Sequence, residues 1–351
     1  MTDPVYFSDH TALRSLLKGV SRSFYLSIRL LPRAIQAPVA IGYLLARATD
    51  TVADTTELPY PDRMQALNSM AKAISAPAAL APDSARWTQD IERWIHLTPH
   101  PDEQTLLRLW PVCLQCLSAL PLADQHHVRA VMQPIVQGQM DDLERSAPGA
   151  KPLATQAELD HYTWQVAGSV GEFWTRVCEQ HDPGYARLPG AEMLALGRSF
   201  GMGLQLLNIL RDSGADLRSG RCYWPQERLT EVGLTSQALV LAAQKGHALN
   251  ALEPLWQDYM GTCQGQLQAG LQYALAVRPL RLRLACALPA LLGIRTWALL
   301  QQAGLAAMVQ PVKMPRHEVR QLMWRLVWGG ASRNTLTAQF QRLSAVREST
   351  P

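Results

Sequence analysis

The stretch Tyr43-Leu-Leu-Ala-Arg47-Ala-Thr-Asp50-Thr-Val-Ala-Asp54 has the spacing of a helix with polar side chains on one face. Its numbered residues are separated by four, three and four positions, so they lie above one another along a helix. The residues between them are mostly apolar or small, which is typical of a helix packed in a core. The stretch therefore predicts a core helix that carries two aspartates one turn apart.

A second stretch, Gln205-Leu-Leu-Asn208-Ile-Leu-Arg211-Asp212-Ser-Gly-Ala-Asp216, repeats this arrangement. Two carboxylates four residues apart repel each other on a helix, and an apolar setting makes the repulsion more costly. Mg²⁺ would offset it, because this ion prefers oxygen ligands and usually binds one or two carboxylates together with substrate phosphate. A solvated face or an arginine ion pair explains a single pair more simply, whereas two pairs predict a Mg²⁺-dependent diphosphate site.

Helical spacing recurs along the rest of the chain, whereas the alternation typical of strands hardly occurs. Proline and glycine stand between the periodic segments, as at Pro32, Pro183-Gly184 and Gly220. No shift in composition divides the 351 residues, so the sequence predicts a single all-α domain over 1–351. The predicted helices run near 10–30, 34–55, 61–75, 85–97, 103–118, 123–145, 156–180, 189–219, 235–275, 280–309 and 316–345.

The composition excludes several classes of protein. With 48% hydrophobic residues the chain can bury a large core, and its net charge of +4 is too small and too dispersed for a general nucleic-acid binder. The sequence contains neither a Rossmann fingerprint nor a GxxxxGK[ST] loop, so any nicotinamide cofactor would bind in another way. Cys113 and Cys116 form a CxxC pair with no second one, which favours core packing over zinc binding.

The sequence also bears on location. Its six cysteines are spread thinly and no signal sequence is recognised, so we expect reduced thiols in the cytoplasm. The most apolar stretch, Leu284–Leu300, is broken by Pro289 and Arg295, which predicts that no helix spans a membrane. The segment 323–329 contains arginine and tryptophan among apolar residues; contact with lipid is one interpretation, and a buried C-terminal helix is the favoured one.

Taken together, the motifs resemble those of the squalene/phytoene synthase family over roughly residues 15–300. The resemblance implies an isoprenoid-synthase-type helical bundle around a central apolar cavity, in which two prenyl diphosphates are joined head to head. The matching blocks are Ser21-Arg-Ser-Phe24, Tyr43-x3-Arg47-x2-Asp50-x3-Asp54, Gly138-x3-Asp142-Leu143, Tyr162-x3-Val166-Ala-Gly168-x2-Gly171, Gln205-x2-Asn208-Ile-x-Arg211-Asp212-x3-Asp216 and Gly220-Arg221-x-Tyr223-Trp-Pro225.

The resemblance also implies roles for individual residues. Tyr162 is a candidate to assist proton transfer, together with the aspartates as the catalytic set. The residues implied to bind Mg²⁺ are Asp50, Asp54, Asp212 and Asp216; those implied to bind diphosphate are Ser21, Arg22, Arg47, Gln205, Asn208, Arg211 and Arg221; those implied to line the cavity are Phe24, Tyr43, Val166, Ala167 and Gly171.

The reaction implied by the resemblance is the condensation of two farnesyl diphosphates to presqualene diphosphate, followed by reduction with NADPH to squalene. Tyr223-Trp-Pro-Gln-Glu227 and Cys286-Ala-Leu-Pro289 look more like the squalene synthase branch than the phytoene or dehydrosqualene branch. Ala53 and Gln139 depart from the residues common in that family. The first alternative is a synthase that makes presqualene diphosphate, dehydrosqualene or phytoene without reduction.

Two further alternatives belong to other classes. A non-catalytic assembly or binding relative would keep the fold without the chemistry, although all four aspartates are present. A terpene cyclase or head-to-tail prenyltransferase is disfavoured, because neither pair begins with adjacent aspartates. The expected partners are two prenyl diphosphates and, since the product is insoluble in water, the inner face of a membrane by peripheral contact; no nucleic acid or protein partner is predicted.

Overall fold

The all-α prediction is confirmed by a computed structural model of the chain, which describes residues 7, 11–21, 24–76, 91–92, 94–146, 152–328 and 332–345. Within these residues the only pairing of extended backbone is an isolated antiparallel bridge between Ala186 and Val277. All other regular structure in the described residues is helical, because the sequence supplies long amphipathic segments separated by proline and glycine.

The helices form two compact units. The first takes residues from 1–147 and 176–183, and the second takes residues from 148–175 and 184–351. No change in composition marks this division, because both units are built from helices of the same kind. The single-domain organisation stays a prediction.

The first unit is centred on the helix that carries the first aspartate pair. This helix, α3, packs against α4, α6 and α7, and its side chains Ile41, Leu44 and Leu45 are fully buried. The apolar residues between the polar positions therefore form core, as the sequence predicts. The helices of this unit are α1 Thr11–Ser21, α2 Phe24–Leu30, α3 Arg33–Asp54, α4 Tyr60–Ser75, α5 Pro101–Arg108, α6 Trp110–Ala119 and α7 Leu122–Arg145.

The second unit is centred on α10, the helix that carries the second aspartate pair. It packs against α13, α14 and a π-helical turn at Trp164–Gly168. The helices are α8 Gln156–Thr163, α9 Ser169–His181 (whose residues from Arg176 belong to the first unit), α10 Gly190–Arg218, α11 Gln226–Glu231, α12 Ser236–Gln244, α13 Glu253–Ala276, α14 Leu280–Ala303, α15 Arg316–Trp328 and α16 Arg333–Ser344, with 3₁₀ turns at Asn250–Leu252 and Gly304–Met308.

Some predicted helices are divided in the structure. The helix predicted at 103–118 breaks at Leu109, because Pro111 in the first turn of α6 has no N–H to continue the preceding helix. The helix predicted at 235–275 breaks at Gly246, whose φ of 77° ends α12. The helices predicted at 10–30 and 316–345 each include residues outside the described ranges, as does most of the helix predicted at 85–97. The short helix α11 was not predicted.

Two helices of the second unit, Gly190–Arg218 and Leu280–Met308, are long and apolar enough to cross a membrane by length and composition alone. Core helices meet the same criterion, and 44% and 61% of their most apolar windows are buried inside the protein. Pro289, predicted to break the apolar stretch Leu284–Leu300, lies inside the continuous helix α14, so this prediction was wrong. Both helices pack against other helices of the second unit.

A close backbone contact joins α10 to α9 and the π-helical turn. A Cβ added at Gly197 would stand 2.7 Å from the carbonyl oxygen of Gly171, and a Cβ at Gly201 would collide with the carbonyl group of Ala167. Side chains at these positions would push the helices apart. The glycines are therefore required for packing.

We expect Gly197→Ala to lower the stability of the protein by about 1–3 kcal/mol, because the added methyl group overpacks the helix contact. The matched control is Gly265→Ala on α13, where a Cβ would meet no atom within 4 Å. This control should be neutral or stabilising by up to about 1 kcal/mol, since alanine is the better helix former. Urea unfolding followed by circular dichroism measures both effects, and equal midpoints for the two variants would contradict the packing argument.

Candidate active site

The first aspartate pair lies on a partly exposed face of α3. Tyr43, Arg47 and Asp50 are half-buried, and Asp54 at the end of the helix is exposed. The Tyr43 hydroxyl donates a hydrogen bond to the carbonyl oxygen of Val20, 3.1 Å away. The predicted face therefore exists, and its polar side chains reach solvent at one end.

Arg47 is the central cation of this cluster. Its guanidinium pairs with Asp50 on the same helix and with Glu103 on α5. Glu103 is only 15% exposed, whereas Asp50 is 41% exposed. Sequence reasoning missed Glu103, because only the tertiary fold brings α5 alongside α3. An ion pair with arginine was the simpler interpretation of a single aspartate pair. The contact between Arg47 and Asp50 is such an ion pair.

Two further carboxylates influence Asp50. Burial raises the pKa of this carboxyl above its ordinary value, Arg47 opposes that shift, and the carboxylates of Glu103 and Asp142 add to it. Asp142, at the end of α7, is itself 3.7 Å from Arg145. It belongs to a block that resembles the family, but the sequence analysis assigned it no role. Such a cluster favours the approach of a further cation.

Asp54 has a different environment. Arg63 on α4 donates a hydrogen bond of 2.9 Å to the carbonyl oxygen of Ala53. The charge of Asp54 raises the pKa of Arg63, against the larger lowering caused by burial. Asp54 therefore stands at the exposed end of α3 beside one further guanidinium.

The second aspartate pair lies on α10 with an arginine beside each carboxylate. Arg211 forms a fork with Asp212, with Nε 2.9 Å from Oδ1 and Nη2 2.5 Å from Oδ2. This hydrogen bonding is the main cause that raises the pKa of Arg211. Arg221 lies 3.2 Å from Asp216, which is 16% exposed, whereas Asp212 is 48% exposed.

A tight turn after α10 brings Arg221 to this pair. Gly220 has a φ of 89°, which favours glycine, and the Arg221 N–H donates to the carbonyl oxygen of Asp216 at 2.8 Å. Trp224 fixes the end of the turn, because its indole N–H donates to the Ser213 hydroxyl at 2.9 Å and its side chain is buried. The Arg-x-Tyr-Trp-Pro block therefore serves to fold a segment back onto α10.

The same turn meets Tyr162. The rings of Tyr162 and Tyr223 are stacked, with centroids 5.4 Å apart and planes inclined by 17°. Tyr162 is 7% exposed at the end of α8. The second unit thus brings the candidate proton-transfer residue to the segment that carries Arg221. The sequence contained both tyrosines in family blocks but did not indicate that they touch.

The structure separates the remaining predicted residues into several environments. Ser21 is buried, and its hydroxyl donates to the carbonyl oxygen of Leu17. Arg22 and the side chain of Phe24 lie outside the described residues. Gly171 faces the backbone of Gly197 rather than open space. Four others are half-buried in the second unit: Gln205, Asn208, Val166 and Ala167.

Two neighbouring features have simpler explanations than a site. Arg218 donates to the carbonyl oxygen of Met308 at 3.3 Å, so it caps another element of its own unit. Cys113 and Cys116 are buried in α6, and burial raises the pKa of Cys116 to about 11, so it remains a thiol at neutral pH. Both cysteines pack in the core of the first unit.

The donor chemistry of the aspartate pairs fits Mg²⁺. The part of the chain that the structure describes contains no group of three or more His, Cys, Asp or Glu side chains able to enclose a metal ion. Mg²⁺ does not need such a group, since it commonly binds one or two carboxylates and takes its other ligands from water and phosphate. Each pair offers the oxygen ligands that this mode of binding requires.

The described residues form an all-helical fold that carries an aspartate pair on each of two helices. The family model described as squalene/phytoene synthase matches residues 17–322. The chain belongs to the squalene/phytoene synthase family, whose members and relatives are prenyltransferase-type enzymes.

Individual relatives agree with this assignment. A presqualene diphosphate synthase from Zymomonas mobilis is 26% identical over 307 residues, which is 88% of each chain. Another from Botryococcus braunii is 28% identical over 62% of this chain but only 49% of its own length, so the chain spans about half of that relative. The solved complex of TcSQS with the ligand E5700 has the same fold, with a TM-score of 0.71 at 21% identity over 96% of this chain and 92% of the other. Other matches carry the names squalene synthase and bifunctional lycopene cyclase/phytoene synthase.

We expect Asp50→Ala, Asp54→Ala, Asp212→Ala and Asp216→Ala each to reduce turnover of prenyl diphosphates at least about a hundredfold, because each removes a predicted ligand of the Mg²⁺ that would stabilise the departing diphosphate. The matched control is Asp258→Ala, which removes an exposed carboxylate paired with Arg228. Circular dichroism should show the same helical signal for all five variants. Full turnover in any two of the first four would rule out the predicted metal site.

Proposed function

We propose that the protein joins two farnesyl diphosphates head to head to form presqualene diphosphate and then reduces this intermediate with NADPH to squalene. The observation that carries the proposal is the pairing of aspartates with arginines on α3 and again on α10, in a chain that belongs to the squalene/phytoene synthase family. Each unit contributes one such helix. The proposal therefore gives a function to the aspartate pair on α3 and to the aspartate pair on α10.

In this proposal the arginines bind the diphosphates. Arg47 in one unit, and Arg211 and Arg221 in the other, present planar guanidinium groups that suit phosphate oxygens. All of them now pair with carboxylates, so substrate oxygens would take over part of these contacts. The four aspartates would hold Mg²⁺, which when bound stabilises negative charge on a departing diphosphate.

Removal of the metal with EDTA should stop turnover, and added Mg²⁺ should restore it.

The first condensation breaks an allylic C–O bond of one substrate and forms a C–C bond with the double bond of the other. Closure of the cyclopropane ring then requires loss of one proton. Tyr162 would assist this transfer, with the released diphosphate as the final acceptor; its buried ring, stacked on Tyr223, supports a fixed position for its hydroxyl. In the second step presqualene diphosphate ionises and NADPH, acting as a substrate, supplies a hydride.

Release of presqualene diphosphate is the second candidate. The observation that favours it is the Zymomonas mobilis relative, which has that name and matches 88% of its own length and of this chain. The two candidates share the condensation and the aspartate sites. They differ only in whether the second ionisation and the hydride transfer follow.

Product analysis separates the candidates. Purified protein is incubated with farnesyl diphosphate and Mg²⁺, with and without NADPH, and the products are identified by mass spectrometry after phosphatase treatment and hexane extraction. Squalene that forms only with NADPH supports the leading proposal. Presqualene diphosphate or a desaturated C30 product in both reactions supports the branch without reduction. If neither farnesyl nor geranylgeranyl diphosphate gives a product, the result supports the alternative of a non-catalytic assembly or binding relative.

We expect Tyr162→Phe to slow formation of presqualene diphosphate by about 10²–10⁴-fold, the usual contribution of a positioned proton-transfer group. Tyr223→Phe is the matched control, because it keeps the stacked ring and removes only a hydroxyl from the same cluster. This control should retain most of the activity. Normal accumulation of the cyclopropyl intermediate in Tyr162→Phe would remove the proposed role of Tyr162.

A further inference from the structure

Charge is divided unevenly along the chain. Residues 278–351 contain eleven Arg and Lys against two Glu, a formal charge of +9, whereas residues 1–277 carry −5 of the chain's total of +4. The total charge therefore hides a strongly basic C-terminal part. An uneven distribution of this kind points to an anionic partner for that part.

The tertiary structure adds an arginine from a distant segment to this basic part. The bridge between Ala186 and Val277 is fixed by two backbone hydrogen bonds, from the Arg187 N–H to Ala276 at 2.9 Å and from the Arg278 N–H to Tyr185 at 2.6 Å. Arg187 and Arg278 thus project from adjacent backbone segments, and both are exposed. The bridge brings residue 187 to the beginning of α14.

Further guanidinium groups gather at the same place. Burial lowers the pKa of Arg283, and the neighbouring positive charges of Arg187 and Arg333 lower it further. Arg281, between them on the first turn of α14, is exposed. These positive charges lie close together in the second unit in spite of their mutual repulsion. Arg283 is half-buried and donates from Nε to the carbonyl oxygen of Val277 at 2.8 Å and from Nη2 to that of Arg278 at 2.9 Å. We call the exposed Arg187, Arg278, Arg281 and Arg333 the C-terminal basic surface.

Large apolar side chains are exposed beside these arginines. Leu188 is 37% exposed and Leu280 is 54% exposed, and each is next in sequence or next but one to an arginine of the surface. An exposed leucine by itself needs no explanation. Two of them among clustered arginines combine the apolar and cationic contacts that an interfacial protein uses.

The helix α15 extends this combination. Arg295 on α14 pairs with Glu318 at 2.8 Å, and Arg333, beyond the end of α15, lies near Arg283, so α15 returns along α14 towards the basic surface. Its outer face carries Arg320 and Trp324 four residues apart, and Trp324 is 64% exposed. Its inner side is buried through Leu322 and Leu326. The favoured sequence interpretation of a buried helix therefore holds for one side only.

We propose that the C-terminal basic surface, together with the exposed Trp324, docks the protein on an anionic phospholipid bilayer. Phosphate headgroups would meet the arginines, while the leucines and the indole ring enter the interfacial layer, where tryptophan is preferred. A nucleic acid would meet the arginines equally well, but it has no use for exposed Leu188 and Leu280 among them. Docking of this kind would also bring a water-insoluble product close to the lipid phase.

Vesicle flotation without substrate tests the proposal independently of the proposed reaction. The full-length protein is mixed with vesicles of phosphatidylcholine alone, or of phosphatidylcholine with 30% phosphatidylglycerol, at low salt and at high salt. We expect binding only to the anionic vesicles and weaker binding at high salt, because screening reduces the attraction. The variant Arg187→Ser/Arg278→Ser/Arg281→Ser should bind about a hundredfold more weakly, since each basic side chain near such a surface contributes about fivefold.

The matched control is Lys72→Ser/Arg108→Ser/Lys245→Ser, which removes three exposed charges elsewhere and should bind like the unaltered protein. Thermal unfolding checks that both triple variants are folded. Equal binding by the two variants, or binding that ignores anionic lipid, would overturn the proposal. Salt-sensitive binding to an RNA oligonucleotide without vesicle binding would overturn it in favour of a nucleic-acid surface.

The position of Trp324 has its own readout. Lipids brominated in the upper acyl chain quench tryptophan fluorescence at the interface. We expect the unaltered protein to lose fluorescence on anionic brominated vesicles and Trp324→Phe to lose much less of it. Equal quenching in the two proteins, when both float with the vesicles, would show that Trp324 stays outside the lipid and would overturn its part in the docking.

Discussion

Repulsion between carboxylates on one helix face is the constraint on which the rest of the structure depends. Asp50 and Asp54 on α3, like Asp212 and Asp216 on α10, stand four residues apart on helices whose other sides are core. Such an arrangement is unfavourable without nearby positive charge. Arginines on the same helix and on neighbouring segments supply this positive charge. The carboxylates remain partly exposed to solvent.

The supporting structure can be understood as the means of holding those charges. The first unit brings Glu103 and Asp142 to the Arg47–Asp50 pair, and burial together with these two carboxylates raises the pKa of Asp50 against the effect of Arg47. The second unit uses the Gly220 turn and the buried Trp224 to return Arg221 to α10. Backbone contact at Gly197 keeps α10 close to α9. In each of these places, packing of the backbone or of a buried side chain holds the segment that carries the charged group.

The two proposals give the chain two separate electrostatic tasks. The aspartate helices belong to a part of the sequence with net negative charge, whereas residues 278–351 are strongly basic. Binding of a diphosphate needs cations next to carboxylates, but attraction to an anionic surface needs cations without many carboxylates nearby. Placement of the second group around Arg187 and the beginning of α14 satisfies this requirement within the second unit.

The sequence by itself determined the helical class, the two aspartate faces and the family, because these depend on spacing along one helix and on short contiguous motifs. It located most helices, but it joined segments across Leu109 and Gly246, where a local lack of a hydrogen-bond donor or a positive φ outweighs apolar periodicity. Only the tertiary structure decided that Glu103 pairs with Arg47, that Tyr223 stacks on Tyr162 and that Arg187 joins the C-terminal arginines. These contacts join residues between 56 and 146 positions apart in the sequence, and no local propensity encodes a distance across the fold.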